Sequence, residues 1–359
     1  MALPFFESGA KRKRDQVVAI DLGGRTTKAV LIQRRNDGFS LTRYAVLDAP
    51  IYEKTLSVDL LTEHLKNINQ IMEAKGKPVT LAVGVNEALM RNVEMPKMPA
   101  EDMRLVLRNN AKSYLQQDLP NHVFDCYVIP PRYVATPADA AKVASSVIMK
   151  QKVLVAGARR QLVEDFQTAI RNAGMIPDYI MPALVGPVNA FEMVMPEIFS
   201  RSVVALVDIG FKHSSIAIVS EGELILSRVV ALGGDRVTAG LAENMGTSYA
   251  EAEGIKIGMA AEVQPVLESL LAPLGRELRA SLDFFEHQQD RPVSQVYLSG
   301  ASVRSEFVVQ ALQNEMMVEC KTWLPTAVMQ MSLPPQQTAD IDQVAPQLTV
   351  AIGAAMAAF

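Results

Sequence analysis

Apolar residues run along this chain with two different periods. "VVAID" (17 to 21) is a short β-branched run that stops at an acid, and "LGGRTT" follows with glycines and hydroxyls. "TKAVLIQ" and "LTRYAVL" come next, separated by Asn36-Asp37-Gly38, a strong hairpin signal. The pattern predicts a three-stranded meander. It returns at residue 203 as "VVALVDIG", "SSIAIVS", a Glu221-Gly222 turn and "ELILSRVVAL".

Between the copies the period changes to that of helices. "LSVDLLTEHLKNINQIMEAKG" predicts an amphipathic helix with Leu60, Leu61, His64, Leu65, Ile68 and Ile71 on one face and Gly76 at its end. "KPVTLAVGV" reads as a strand. From 90 to 183 the chain predicts a small inserted α/β unit. Its first helix begins at "AEDM", with Met103, Leu107, Asn110 or Ala111, and Tyr114 facing inward; "HVFDCYVIP" reads as a strand and 131–146 as a loop. "KVLVAGA" is a second strand, followed by a helix with Leu162, Phe166 and Ile170 in line. After the second meander, Gly233-Gly234-Asp235 breaks the sheet before a helical stretch of 235–290. "SQVYLSGASV" is a last strand ending in a glycine turn, and "QLTVAIGAAMAAF" a closing helix. The doubled meander predicts two half-domains of similar topology facing a cleft.

Composition narrows the class. A chain of 359 residues holds more than one core. A net charge of −4 argues against a nucleic-acid surface spread over the whole chain. Two cysteines, Cys126 and Cys320, with no C-x-x-C pair, suit a reducing compartment and offer no zinc framework. The opening "MALPFFESGAKRKRD" lacks the layout of a secretory signal, and no apolar run reaches membrane-spanning length. A cytoplasmic protein with no span of its own is expected. Residues 1–15 are expected to be a mobile basic tail, whose "KRKR" (11 to 14) is either a solvated segment or a contact for anionic lipid.

The chemistry concentrates at the turns. A glycine after a strand lets backbone amides approach a phosphate. Thr26 and Thr27 add hydroxyls, Lys28 adds charge, and Asp21 or Asp208 at a strand end can hold Mg²⁺ through water. One Asp-x-Gly turn is weak evidence. Two, each with a meander, plus a third strand ending "LSGAS", form a specific set. The four histidines are scattered and read as structural. No G-x-x-x-x-G-K-[ST], H-E-x-x-H or G-x-S-x-G occurs.

On "AIDLGGRTTKAV", "LVDIGFKHSSIAIVSEGELILSRVVALGG", "AEGIK", "LRASLDFFEHQQ" and "VYLSG", the chain resembles the actin-like ATPases, and within them the PilM family of type IV pilus assembly, a cousin of FtsA. The resemblance covers nearly all of the chain after residue 15. It implies a duplicated α/β, ribonuclease H-like fold: two lobes around a nucleotide cleft, with an inserted subdomain. The implied subdomains are IA (16–89, 184–202 and 342–359), an inserted IC-like unit (90–183), IIA (203–237 and 291–341) and IIB (238–290). The implied first phosphate turn is Asp21, Gly23, Gly24, Thr26, Thr27 and Lys28; the second is Asp208, Gly210 and Ser214. Gly233 and Gly234 would open the lobe over the nucleotide, Glu253 and Lys256 would face ribose and base, and Gly300 and Ala301 would sit against adenosine. Without the resemblance, Glu253 and Lys256 read as a solvated helix pair.

The departures from the family pattern carry their own expectation. Arg25 stands where the family usually has Ser, and Phe211, Lys212 and His213 where it favours small residues. Two readings stand: cations on both turns neutralise phosphate in place of Mg²⁺, giving ATP or ADP binding with little metal dependence, or Phe211 and the long side chains fill a disused pocket. Asn189 is the one polar candidate for positioning an attacking water in "MPALVGPVNAF", so hydrolysis is expected to be slow at most, and no catalytic residue is assigned. The resemblance further implies docking on the short cytoplasmic tail of a PilN-like inner-membrane protein, with self-association open. Two alternatives remain on the same fold: a sugar-type kinase, for which no base is evident, and an FtsA-like cell-division protein.

Overall fold

The computed structural model describes residues 14–35, 38–51, 56–130 and 150–359. The turn expected at 36–37, the loop at 131–146 and residues 1–13 of the basic tail lie outside the described residues.

The meander at the start is β1 (Gln16–Leu22), β2 (Thr26–Arg35) and β3 (Gly38–Asp48), all antiparallel. On the other side of β1, β4 (Pro78–Val83) and then β8 (Ile176–Pro182) add in parallel, while β14 (Gln330–Met331) edges β3. The second sheet repeats this plan. There, β9 (Val203–Ile209), β10 (Ser214–Ser220) and β11 (Glu223–Val230) form the meander, and β12 (Gln295–Ser299) and β13 (Cys320–Thr322) run parallel to β9. The orders β3-β2-β1-β4-β8 and β11-β10-β9-β12-β13 are the same, with the same directions. The doubled sequence pattern is a doubled sheet.

A third, three-stranded sheet holds β5 (Ala88–Pro96), β7 (Lys150–Arg159) and β6 (His122–Val128), covered by α2 (Ala100–Leu115). Met95, Met103, Leu107, Phe124, Val153 and Val155 make its core. The inserted unit expected at 90–183 therefore closes at β7. The next helix, α3 (Arg160–Asn172), packs beside α1 (Val58–Met72) in the core of the first sheet, and β8 pairs with β4. The reason is burial: Phe166, Ala169 and Ile170 find their apolar partners in Leu65, Ile68 and Val79.

The buried stripe of α1 is Leu61, Leu65, Ile68 and Met72; Leu60 and Ile71 flank it and stay more than a third exposed. The expected face was rotated by one position. Ser57 caps the helix by accepting from the Leu60 N–H, and Glu73, not Gly76, takes the left-handed terminal position. The closing helix α11 (Thr349–Ala357) is buried throughout and crosses α4 (Gly186–Val194) at two glycines. A Cβ on Gly353 would collide with the Gly186 carbonyl.

Four helices complete the second lobe: α6 (Gly234–Met245), α7 (Tyr249–Gly258), α8 (Gln264–Gln289) and α9 (Glu306–Met316). A short α5 (Pro196–Arg201) precedes β9, and α10 (Pro335–Val344) precedes α11. No helix among the described residues is long and apolar enough to cross a membrane.

Candidate functional site

Each meander brings one acid to the cleft. Asp21 pairs in register with Lys28 across β1 and β2, and Lys28 Nζ lies 3.3 Å from Asp21 Oδ2. Asp208 pairs in register with Ser299 across β9 and β12, and its Oδ1 accepts the Ser299 hydroxyl at 2.8 Å. Burial pushes the Asp208 carboxyl above its ordinary value. The Ser299 hydrogen bond opposes this, the Asp21 charge adds to it, and Lys28 opposes it again. The two acids thus share one field across the cleft.

The second turn is locked to its neighbours. Gly210 N–H donates to His213 O at 3.1 Å, Gly234 N–H to Gly210 O at 3.0 Å, and Asp235 N–H to Phe211 O at 2.9 Å. Gly300, at φ 100°, presses on Ile209, whose carbonyl a Cβ would strike; Gly233 is equally tight against Phe211 O. These glycines bring protein backbone against protein backbone. The sequence reading gave them to phosphate and adenosine; the space a Cβ would take is filled by the chain itself. Gly234 remains close to Ser302 Oγ, 2.8 Å from its Cβ position, and to Lys256 Nζ at 3.7 Å. Ala301 is exposed at the start of the third turn.

Beside Gly234 lies a buried polar cluster. Lys256 Nζ donates to Glu253 Oε2 and Thr238 Oγ1, each at 2.7 Å, and Lys256 is 4% exposed. Burial lowers the Lys256 pKa and pairing only partly restores it. For Glu253, burial pushes up, but hydrogen bonds from Lys256 and Thr238 outweigh it and hold the carboxyl below its ordinary value. A solvated helix pair is not what forms here.

Other expected donors face elsewhere. Thr26 is half-buried at the start of β2. The Thr27 hydroxyl is buried, 2.8 Å from His64 Nε2, and burial holds that ring neutral by lowering its pKa. The Ser214 hydroxyl is buried and donates to Leu232 O at 2.7 Å. Asn189 is buried and its amide donates to Gly353 O at 3.2 Å, holding the α4–α11 crossing. His213 is depressed by burial and then by Lys212, so it is neutral at pH 7 and adds no cation to the turn, contrary to expectation. Lys212 is exposed. Arg25 leans over Phe211 and Tyr249 of the other lobe.

Thr238, Ser299, Asp235 and Tyr249 were missed in the sequence. Thr238 lies one helical turn after Gly234, and Ser299 is the Ser of "LSG". Tyr249 opens a helix marked by the capping box of Ser248 and Glu251.

No group of three or more His, Cys, Asp or Glu among the described residues is placed to hold a metal ion. Lys28 pairs with Asp21, and Ser299 donates to Asp208, whose carboxyl burial raises above its ordinary value, so each acid has a partner within the chain.

A groove of about 910 Å³ opens away from this cleft. The edge strand of the inserted sheet, β5, forms one wall. The edge strand of the second lobe, β11, forms the other, with α8 contributing Ser281, Phe284 and Gln288. Phe284 is 54% exposed there. At one end Asn92 Nδ2 donates to Leu224 O (2.8 Å) and Ile225 O (2.9 Å), tying the walls together.

Two sheets of one strand order, meeting at paired Asp turns and carrying an inserted third sheet, define an actin-like ATPase fold. The family model described as "Type IV pilus assembly protein PilM" matches residues 19–359, and the chain belongs to that family. It is similar to a solved PilM–PilN type IV pilus biogenesis complex, with 21% identity and a TM-score of 0.81 over 97% of this chain and 99% of that one. The ethanolamine utilization protein EutJ from Carboxydothermus hydrogenoformans shares the fold at 12% identity, with a TM-score of 0.55 over 97% of this chain and 91% of that one. The cell division protein FtsA of Bacillus subtilis is 23% identical over 257 residues, 67% of this chain. The chain spans 57% of that protein's length.

Proposed function

We propose that this chain is a cytoplasmic scaffold of type IV pilus assembly, held at the inner membrane by the N-terminal cytoplasmic tail of a PilN-like protein. The tail lies in the groove between β5 and β11. The observation that carries this reading is the groove itself. Two sheet edges face each other across an apolar floor beside the subdomain that this family inserts. An extended peptide binds such an edge through main-chain hydrogen bonds and sets its side chains alternately into pockets. Membership of the PilM family, and likeness to a protein solved with PilN, support the choice of partner.

The same proposal assigns ATP or ADP to the cleft. Phosphates lie between the turns of Gly24 and Phe211, near Arg25 and Lys212, and the sugar lies toward Glu253 and Lys256. Phosphate contacts of this kind rely on charged donors rather than on a metal. Lys28 pairs with Asp21 and the Asn189 amide donates to Gly353 O, so in this reading the described residues bind and orient the nucleotide and hydrolyse it slowly at most.

Fluorescence anisotropy with a labelled peptide, the cytoplasmic N-terminal residues of the PilN-like protein from the same genome, tests the docking. Saturable binding at micromolar concentration is expected; a peptide that stays free at the highest protein concentration contradicts it.

A further inference from the structure

Arg25 sits on the exposed turn between β1 and β2, in the first lobe, yet its guanidinium stacks on rings of the second. It lies 5.6 Å from the Phe211 centroid and 5.5 Å from the Tyr249 centroid. Both distances are within the range over which a guanidinium is attracted to a ring face. The Gly24 backbone is close to the same ring: a Cβ on Gly24 would touch Phe211 Cδ1 at 3.7 Å.

The receiving side is rigid. The Phe211 carbonyl accepts the Asp235 N–H, and the Tyr249 hydroxyl donates to Asp235 Oδ1 at 2.9 Å. Asp235 therefore ties the Phe211 backbone and the Tyr249 ring to the first turn of α6, and the capping box of Ser248 and Glu251 fixes the start of α7. The other side is one long side chain, on a turn whose Arg25 O accepts the Ala49 N–H at 2.8 Å. The Arg25 charge also reaches Glu253 and Lys256, so the guanidinium faces the polar cluster at the back of the cleft.

We propose that Arg25 is a clasp across the cleft. Stacked on Phe211 and Tyr249, it holds the lobes together. A planar guanidinium is needed for double stacking, which Lys does not reproduce.

Hydrogen–deuterium exchange on the full chain tests this with Arg25→Ala, Arg25→Lys and Phe211→Leu. Without nucleotide, Arg25→Ala and Phe211→Leu should raise exchange about tenfold at 20–28 and 246–256, with Arg25→Lys giving most of that rise. Exchange in β4 and β12 should stay as in the parent. Parent-like exchange at both segments in Arg25→Ala and Phe211→Leu overturns the clasp, and so does a rise spread equally over β4 and β12.

Discussion

Asp21 and Asp208 occupy equivalent places in two sheets of one strand order, and the charge of the first helps raise the pKa of the second. Each has a protein partner, Lys28 at 3.3 Å and Ser299 at 2.8 Å. The duplication thus sets two acids against each other in a cleft, and the chain answers the repulsion with its own cation and its own hydroxyl.

Asp208 gives a prediction with a definite sign. Its folded-state pKa is raised mainly by burial, so the folded protein holds a proton that the unfolded chain has lost. Stability is highest where Asp208 is protonated and falls as pH rises from about 3.8 through the raised value. Asp208→Asn should raise the Tm of the nucleotide-free protein at pH 7 by about 2 °C, and the gain should vanish near pH 4. Thermal melts across that range check it; a lowered Tm at pH 7 contradicts it.

The Glu253–Lys256 pair predicts non-additivity. Removing Glu253 leaves a buried ammonium without its anion, and Glu253→Ala should destabilise by about 3 kcal/mol, the low end for a buried pair because Glu253 keeps some water contact. Adding Lys256→Ala should cost less than the sum of the single changes. Denaturant unfolding of the four proteins in the cycle measures this, and strict additivity would remove the pair from the account.

How much of this was legible follows from which interactions are local. The meanders were legible because Asp-x-Gly turns and β-branched runs are local signals. So was the helix over 58–72, though not its exact face, since Leu60 and Ile71 are apolar and only packing on the sheet decides that they flank the stripe. The acids, Arg25 and the Glu253–Lys256 pair were visible as residues. Their partners were not: Ser299 meets Asp208 through a parallel register, and Thr238 joins Lys256 from another helix. The glycines of the second and third turns were visible too, but not the backbone they pack against. Small residues serve backbone–backbone contact as well as ligand approach, and the sequence does not separate the two. The end of the inserted unit was misjudged for a similar reason: β8 pairs with β4, almost a hundred residues earlier in the chain.

Phe284 separates docking from stability. It is more than half exposed on the groove wall, so Phe284→Asp should leave unfolding free energy within about 0.5 kcal/mol of the parent. The same change should weaken binding of the PilN-like tail at least tenfold. Equal affinity would move the tail to another surface.

The two cysteines should be inert in the folded protein. Burial, with help from Asp125 and Glu319 respectively, pushes the Cys126 and Cys320 thiols up to about 12. Almost no thiolate is present at pH 8, so alkylation by iodoacetamide should be slow until the chain is unfolded. Mass spectrometry reads the modification; rapid labelling of native protein would contradict the burial described.

The central claim is that the cleft binds a nucleotide through the chain's own cations. Titration calorimetry with ATP, in EDTA and again in Mg²⁺, tests it most directly. The account predicts binding in both, with dissociation constants within about threefold of each other, and at least tenfold weaker binding for Lys212→Ala. Binding that disappears in EDTA, or no heat in either buffer, would contradict it.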